Sequence, residues 1–436
     1  MSFERMKSIV LLILVFMSAY LTWQIWTYQP TLKKTDQSEY FKVASDTKNI
    51  ADVVKPKNVL LRVGEQRFQM NDEEKMNNIQ SAFWNWSLYS FEDISHQASE
   101  MGFLTFIHSK ANTEINFTDQ IPFKLYKSVF NVEMSEVPEF SFDKIIFTSA
   151  NSNMEEAKIY FISTENKTVI QTIVNGESIR TFYEMYYKNA NEYPEYITYQ
   201  VNKTKEIYLL KDRTPMKQYS YQVGDMNINN FKYALFTDPT SVRQEYVSEV
   251  EEFTDGTRLL SVDRNLSMIN FINPSQKKNG FSSTSELLQQ SIDLVNDHAG
   301  WDKRFRLAEL SQGAQRVVFR LFVNGLPVFN EVGMAEIEQV WGNGEIYQYQ
   351  RPYFYLDFPY PSEEEPDKLL PSGEEAVTAL KNIRNFNPEA IEDLEIGYRM
   401  TKSTLNSKGV ILEPAWYYRY GGTWIILPFE QKGADR

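Results

Sequence analysis

The sequence predicts an α+β protein: one N-terminal transmembrane helix, then a multi-domain extracytoplasmic region whose C-terminal part repeats a helix plus an antiparallel three-strand meander. Three observations predict it. Residues 8–26 read SIVLLILVFMSAYLTWQIW without a charge, and a helix of that length roughly matches the ~30 Å hydrocarbon core of a bilayer. Ser283-x-x-Glu286 and Ser372-x-x-Glu375 each precede a run with helical apolar spacing, the pattern of a capping box. Beyond each run come strand-like segments turned at Asn324-Gly325 or Gly421-Gly422, dipeptides that suit tight hairpins.

The apolar stretch exceeds a usual signal-peptide core and no small-x-small site closes it, so it reads as an uncleaved anchor. Trp23, Trp26 and Tyr28 fall where amphipathic rings meet the far headgroup layer, and Pro30 ends the helix. Arg5 and Lys7 before the span favour a cytoplasmic N-terminus, a contrast that Lys33 and Lys34 blunt. The expected arrangement is a 1–7 cytoplasmic tail, an 8–28 transmembrane helix and a 29–58 linker, with everything later outside the cell membrane. Leu11, Val15, Ser18 and Thr22 recur at helical spacing, and the small Ser18 and Thr22 would let a partner helix approach closely. A lipid-facing surface with two tolerated hydroxyls is the equal alternative.

A first α+β domain is expected over 59–185. Val59–Val63 reads as a strand, and Asn71-x-x-Glu74 caps a helix carrying Met76, Ile79, Phe83 and Trp86 on one face. Phe103–Ile107, Lys144–Thr148 and Lys158–Ile162 read as strands, and Ile179–Tyr187 as a short aromatic helix. The central region, 186–280, holds strand-like Ile197–Val201, Glu206–Leu210 and Gln218–Val223, then an antiparallel pattern around Thr254-Asp255-Gly256 with Leu259–Val262 and Met268–Ile272. In the C-terminal domain, 281–436, the first capped helix carries Leu288, Ile292, Val295 and Ala299 inward and ends near Gly300. Val317 to Val323, Leu326 to Asn330 and Ile337 to Trp341 follow as strands, Pro327 marking an edge. After an acidic linker, 359–371, the second helix (Ala376, Leu380, Ile383) is followed by Leu394–Met400, Pro414–Tyr420 and Thr423–Pro428.

Composition narrows the chemistry. The formal charge is −13 over 436 residues without a long basic run, which argues against a nucleic-acid partner. The chain has no cysteine, so disulfides, thiolate nucleophiles and zinc-thiolate sites drop out. Only His96, His108 and His298 are present, at no metal-pair spacing, and the phosphate-loop, dinucleotide, nucleophile-elbow and zincin motifs are missing. Ser-x-x-Lys occurs at Ser45, Ser141 and Ser275 without its companion motifs. The reading is a non-enzyme with no catalytic, cofactor-binding or metal-ligating residues and no cofactor. Glu363-Glu364-Glu365 reads as solvated linker. Trp416, Tyr418, Tyr420 and Tyr347, Tyr349, Tyr353, Tyr355 fit a buried sheet face better than sugar-stacking platforms.

The anchor ending Leu21-Thr-Trp-Gln-Ile-Trp-Thr-Tyr-Gln-Pro30, the run Phe253-Thr-Asp-Gly-Thr-Arg-Leu-Leu260, Asn273-Pro274 and Phe319-Arg-Leu-Phe-Val-Asn-Gly-Leu-Pro-Val-Phe-Asn330 together resemble the YycH family across the whole chain. That resemblance implies a bitopic Gram-positive protein that modulates the YycG (WalK) sensor histidine kinase together with a YycI-like membrane protein, its transmembrane helix contacting the kinase's membrane helices. It carries no active-site residues across. A module binding cell-wall glycan or peptide is the second expectation, and a wall hydrolase the third.

Overall fold

In the computed structural model, the described residues are 2–27, 47–133, 137–151, 154–276, 282–298, 300–359, 367–404 and 408–429. The chain divides into two units, Met1–Tyr40 and Phe41–Arg436. The first contains one helix, Ser2–Thr27.

In the second unit, most strands pair into two large sheets. The first has ten strands, in the order Lys205–Leu210, Glu195–Asn202, Gln66–Met70, Asn58–Val63, Thr113–Pro122, Ser141–Phe147, Glu156–Ser163, Thr168–Asn175, Ser87–Asp93 and Asn131–Val132. Glu195–Asn202 and Lys205–Leu210, which the sequence places in the central region, extend this sheet through pairing of Arg67 with Tyr196. The second sheet runs Arg243–Val247, Val250–Thr254, Leu259–Asp263, Met268–Ile272, Ile346–Pro352, Glu336–Trp341, Arg316–Val323, Leu326–Phe329, Ile391–Lys402, Gly409–Tyr420, Tyr219–Asp225 and Phe354–Pro359. Phe305–Ser311 and Thr423–Ile426 add to its side.

One continuous apolar core runs from Val53 through Phe123, Phe161 and Leu288 to Leu412, joining the two sheets. Polar contacts reinforce the junction. Thr118 Oγ1 donates to the Leu307 carbonyl at 2.6 Å, Leu310 N donates to Asp119 Oδ2 at 2.7 Å, and Arg306 pairs with Glu73 at 2.6 Å.

Both capping boxes form as expected: Ser283 and Glu286 close the start of Thr284–Asp297, and Ser372 and Glu375 that of Gly373–Lys381. Leu288, Ile292 and Val295 are buried, and Ala299 lies outside the described residues. Alanine at Ser283 or Ser372 should each cost about 1 kcal/mol, since one helix-start N–H loses its acceptor. Two boxes so far apart should add in the double variant, which chemical denaturation of the detergent-extracted protein would read.

Several local expectations need correcting. The early helix, Glu73–Ala82, is capped by Asp72, which accepts from Lys75 N, and not by Asn71. Phe103–Ile107 is no strand but the start of the helix Phe103–Lys110; Phe103, Phe106 and Ile107 are buried, the i, i+3, i+4 spacing of a helix face. The stretch taken for linker contains a capped turn of helix, Ile50–Val53, with Val53 and Val54 buried. Pro327 is not at an edge, because Leu326–Phe329 pairs with Arg316–Val323 on one side and in parallel with Ile391–Lys402 on the other. The proline is tolerated there because the parallel pairing begins at Val328, beyond the missing N–H. The strand Phe305–Ser311 also comes between the capped helix and the expected meander.

Candidate functional site

Two places could carry function: the face of the first helix and a polar cleft in the body. Along Ser2–Thr27, Leu11, Val15, Ser18 and Thr22 all lie exposed at successive spacings of four, three and four. Val15, Ser18 and Thr22, with Ala19 and Trp23, border one shallow groove. Thr22 Oγ1 donates to the Ser18 carbonyl at 2.8 Å, so its hydroxyl needs no outside partner in an apolar setting. Among the described residues no helix is long and apolar enough to cross a membrane.

The three histidines lie in three unrelated settings. His96 is exposed, 3.7 Å from Glu100. His108 Nε2 meets Glu206 Oε1 at 2.6 Å, and Tyr208 donates to the same carboxylate. Burial works against the Glu206 charge, but the bonds from His108 and Tyr208 hold its carboxyl below the usual range.

His298 is buried, its Nε2 2.9 Å from Tyr349 Oη and 3.3 Å from Arg351 Nη1. Burial, then the adjacent Arg351, keep it neutral by pushing its pKa well below the ordinary value. Arg351 is itself fully buried and pairs with no carboxylate among the described residues. Its donors go to the Gly300 and Pro352 carbonyls at 2.6 and 2.9 Å, to Tyr349 Oη at 3.1 Å, and to Met226 Sδ at 3.3 Å. Facing two donors, His298 Nε2 accepts. This is a structural hub, which sequence reasoning missed because nothing local joins residue 351 to residues 298 and 300.

The cleft has a volume of about 1150 Å³ and opens where the first sheet faces the strands Ile391–Lys402 and Gly409–Tyr420. Its walls carry ion pairs: Lys57 with Glu395 and, at 3.5 Å, Asp393; Lys144 with Glu114 at 3.3 Å; and Arg62 with Glu114 at 2.7 Å. Burial penalises the Lys57 and Lys144 ammoniums, yet the carboxylates around them hold both pKa values above the ordinary one. Burial pushes the Asp119 and Asp143 carboxyls up to about 6, although backbone N–H groups donate to each. The motif residues Ser141 and Lys144 both border the cleft, but they stand three apart on a strand, which sends the side chains to opposite faces. Ser45 and the Glu363 to Glu365 run lie outside the described residues.

The expected burial of the aromatic groups holds for most of them. Trp416, Tyr418, Tyr349 and Tyr353 are buried, Trp416 Nε1 donating to the Pro371 carbonyl at 2.9 Å, while Tyr355 is exposed. No cluster of histidine and carboxylate able to hold a metal ion occurs among the described residues.

Comparison with known proteins covers both halves of the chain. Residues 4–190 match the YycH protein N-terminal domain and residues 204–434 the YycH protein C-terminal domain. The chain is 24% identical over 440 residues to the two-component system WalR/WalK regulatory protein YycH of Bacillus subtilis (strain 168), covering 96% of this chain and 95% of that one. The crystal structure of YycH from Bacillus subtilis superposes with a TM-score of 0.73 at 22% identity, over 89% of this chain and 99% of that one.

Proposed function

The chain belongs to the YycH family, and from that premise we propose that it is a single-pass membrane regulator of a WalK-like sensor histidine kinase, acting beside a YycI-like partner. The observation that carries this reading is the match of both family domains along the chain, with a relative named as a WalR/WalK regulatory protein. In this reading the helix Ser2–Thr27 anchors the protein with its N-terminus in the cytoplasm. The Leu11, Val15, Ser18 and Thr22 face packs against a partner's membrane helix, and the body stands outside. Regulation then follows from differential packing: a regulator biases a kinase only by contacting its signalling states unequally.

The anchor predicts that the membrane-extracted protein starts at Met1 or Ser2 and that protease reaches the body in wall-stripped cells. A start near Tyr20 or later would refute it. The packing predicts that Ser18→Leu and Thr22→Leu, which keep the segment apolar, weaken co-purification with the kinase and the YycI-like protein. Overpacking costs about 1–3 kcal/mol, so the loss should be about fivefold or more, with kinase-dependent transcription shifting alongside. Val10→Leu and Phe16→Leu, off that face, should leave both readouts unchanged. If all four variants behave alike, control resides in the extracytoplasmic body.

A wall-binding module is the second reading. Its glycan form loses most of its stacking surface to the buried aromatics; its peptide form finds support in the cleft.

A further inference from the structure

The cleft contains polar groups that the fold leaves unanswered. Along Thr113–Pro122, pairing with Ser141–Phe147 shifts register between Asn116 and Ile121, so residues 117–120 leave the regular ladder. Such irregularities re-aim side chains next to binding sites. Here Thr118 and Asp119 lock onto Leu307 and Leu310, while Gln120, 9% exposed, borders the cleft with its Oε1 unpartnered. A buried amide oxygen without a partner costs about 1–3 kcal/mol, which is offset when something else supplies the donor. Asn116 Oδ1, also bordering the cleft, is unpartnered too.

Two charges in the same wall lack a direct ion-pair partner among the described residues, although Lys144 lies near Asp143, and Asp393 and Glu392 lie near Lys205. Asp143 accepts from Thr164 N at 3.0 Å and from its own backbone N–H, and has no ion pair among the described residues. Lys205, on the outermost strand of the first sheet, also borders the cleft. Its ammonium donates no hydrogen bond to a described residue, and burial lowers its pKa.

We propose that this cleft binds a short peptide with free ends, its ammonium at Asp143, a peptide group at Gln120 and its carboxylate at Lys205. The chemistry follows from the donor and acceptor inventory. A carboxamide offers one acceptor and two donors and so pairs with a peptide group in both directions; a carboxylate and an ammonium that lack direct ion-pair partners are answered by a zwitterion. A divalent cation fits poorly, since it requires six or more oxygens, Asp119 is already committed to two backbone amides, and Lys205 repels it. The volume is ample for a small ligand, given pockets of about 300–1,000 Å³. The inference does not depend on the helix-packing reading, and either can fail alone.

The test is calorimetric titration of the full-length protein in detergent at pH 7.5 with Ala-Ala-Ala, Ala-Lys-Ala and Ala-Glu-Ala, each free and N-acetylated with an amidated C-terminus, and with calcium chloride. At least one free tripeptide should bind saturably with a Kd of about 1 mM or tighter. Capping its ends, Asp143→Asn, Lys205→Gln and Gln120→Leu should each weaken it by about tenfold, with a thermal melt confirming that each variant is folded. The capping comparison uses the unaltered protein and stands even where a variant unfolds. Absence of saturable binding by all three free tripeptides, equal binding of capped forms, stronger binding of calcium, or indifference to every folded variant would each overturn the proposal.

Discussion

Gly325→Ala is expected to lower stability by about 3 kcal/mol or more, because two independent penalties meet at one position. The turn between Arg316–Val323 and Leu326–Phe329 is made by Asn324 and Gly325, with φ of 51° and 77°, the left-handed geometry of a tight hairpin. A side chain there costs about 1–2 kcal/mol in local strain alone. In addition, a Cβ at residue 325 would sit 1.9 Å from the Asn71 carbonyl oxygen. That oxygen belongs to the backbone between Gln66–Met70 and the helix Glu73–Ala82, so no side chain can swing aside and the two sheets must part. Gly256→Ala separates the penalties, since Gly256 also has a positive φ, 90°, but nothing within 4 Å of its Cβ position. Urea unfolding should give the smaller loss at 256 and the larger at 325. Equal losses would mean that the hairpin tip does not hold the sheets together.

The second large effect is expected at Arg351. Arg351→Met retains much of the apolar volume but withdraws the donors serving Gly300 and Pro352 carbonyls, Tyr349 Oη and His298 Nε2. Each orphaned buried acceptor costs about 1–3 kcal/mol, so a loss of about 3 kcal/mol or more is expected in spite of the relief from burying a charge. Arg351→Lys should not rescue it, because one ammonium cannot reproduce the planar fork. Stability equal to the parent would show that the desolvation of the guanidinium cancels its bonds, as happens in some buried ion clusters.

The same hub sets a pH dependence. His298 is held neutral in the fold, whereas an unfolded histidine takes up a proton below about pH 6.5, so its contribution is present above that pH and is lost on acidification. Asp119 and Asp143, pushed up to about 6, act oppositely: the folded state holds their protons where the unfolded chain has released them, which favours the fold as pH falls from 7 towards 5. His298→Asn should therefore make stability rise more, or fall less, than the parent's over that interval.

Features that depend on neighbouring residues were legible without the fold. The Ser283 and Ser372 capping boxes, the turns at Asn324-Gly325 and Gly421-Gly422, and most strands of the C-terminal part rest on hydrogen bonds and backbone angles within a few residues. The resemblance to the YycH family was legible in the same way, as wording spread along the chain. Phe103–Ile107 shows where that reach ends, because a five-residue apolar run satisfies strand and helix alike and only the burial of Phe103, Phe106 and Ile107 on one face decides between them.

Pairing between distant segments required the tertiary structure. The sequence by itself determined the α+β class, the helix starts at Ser283 and Ser372, the apolar N-terminal run and the exclusion of cysteine chemistry. Only the tertiary structure decided that 195–210 extends the first sheet, that Pro327 lies inside a sheet, that Arg351 is buried against His298, and that Gln120, Asp143 and Lys205 border one cleft. The reason is that hydrogen-bond partners and burial are relations between residues far apart in the chain, whose chemistry is set by desolvation and geometry that exist only once the sheets have met.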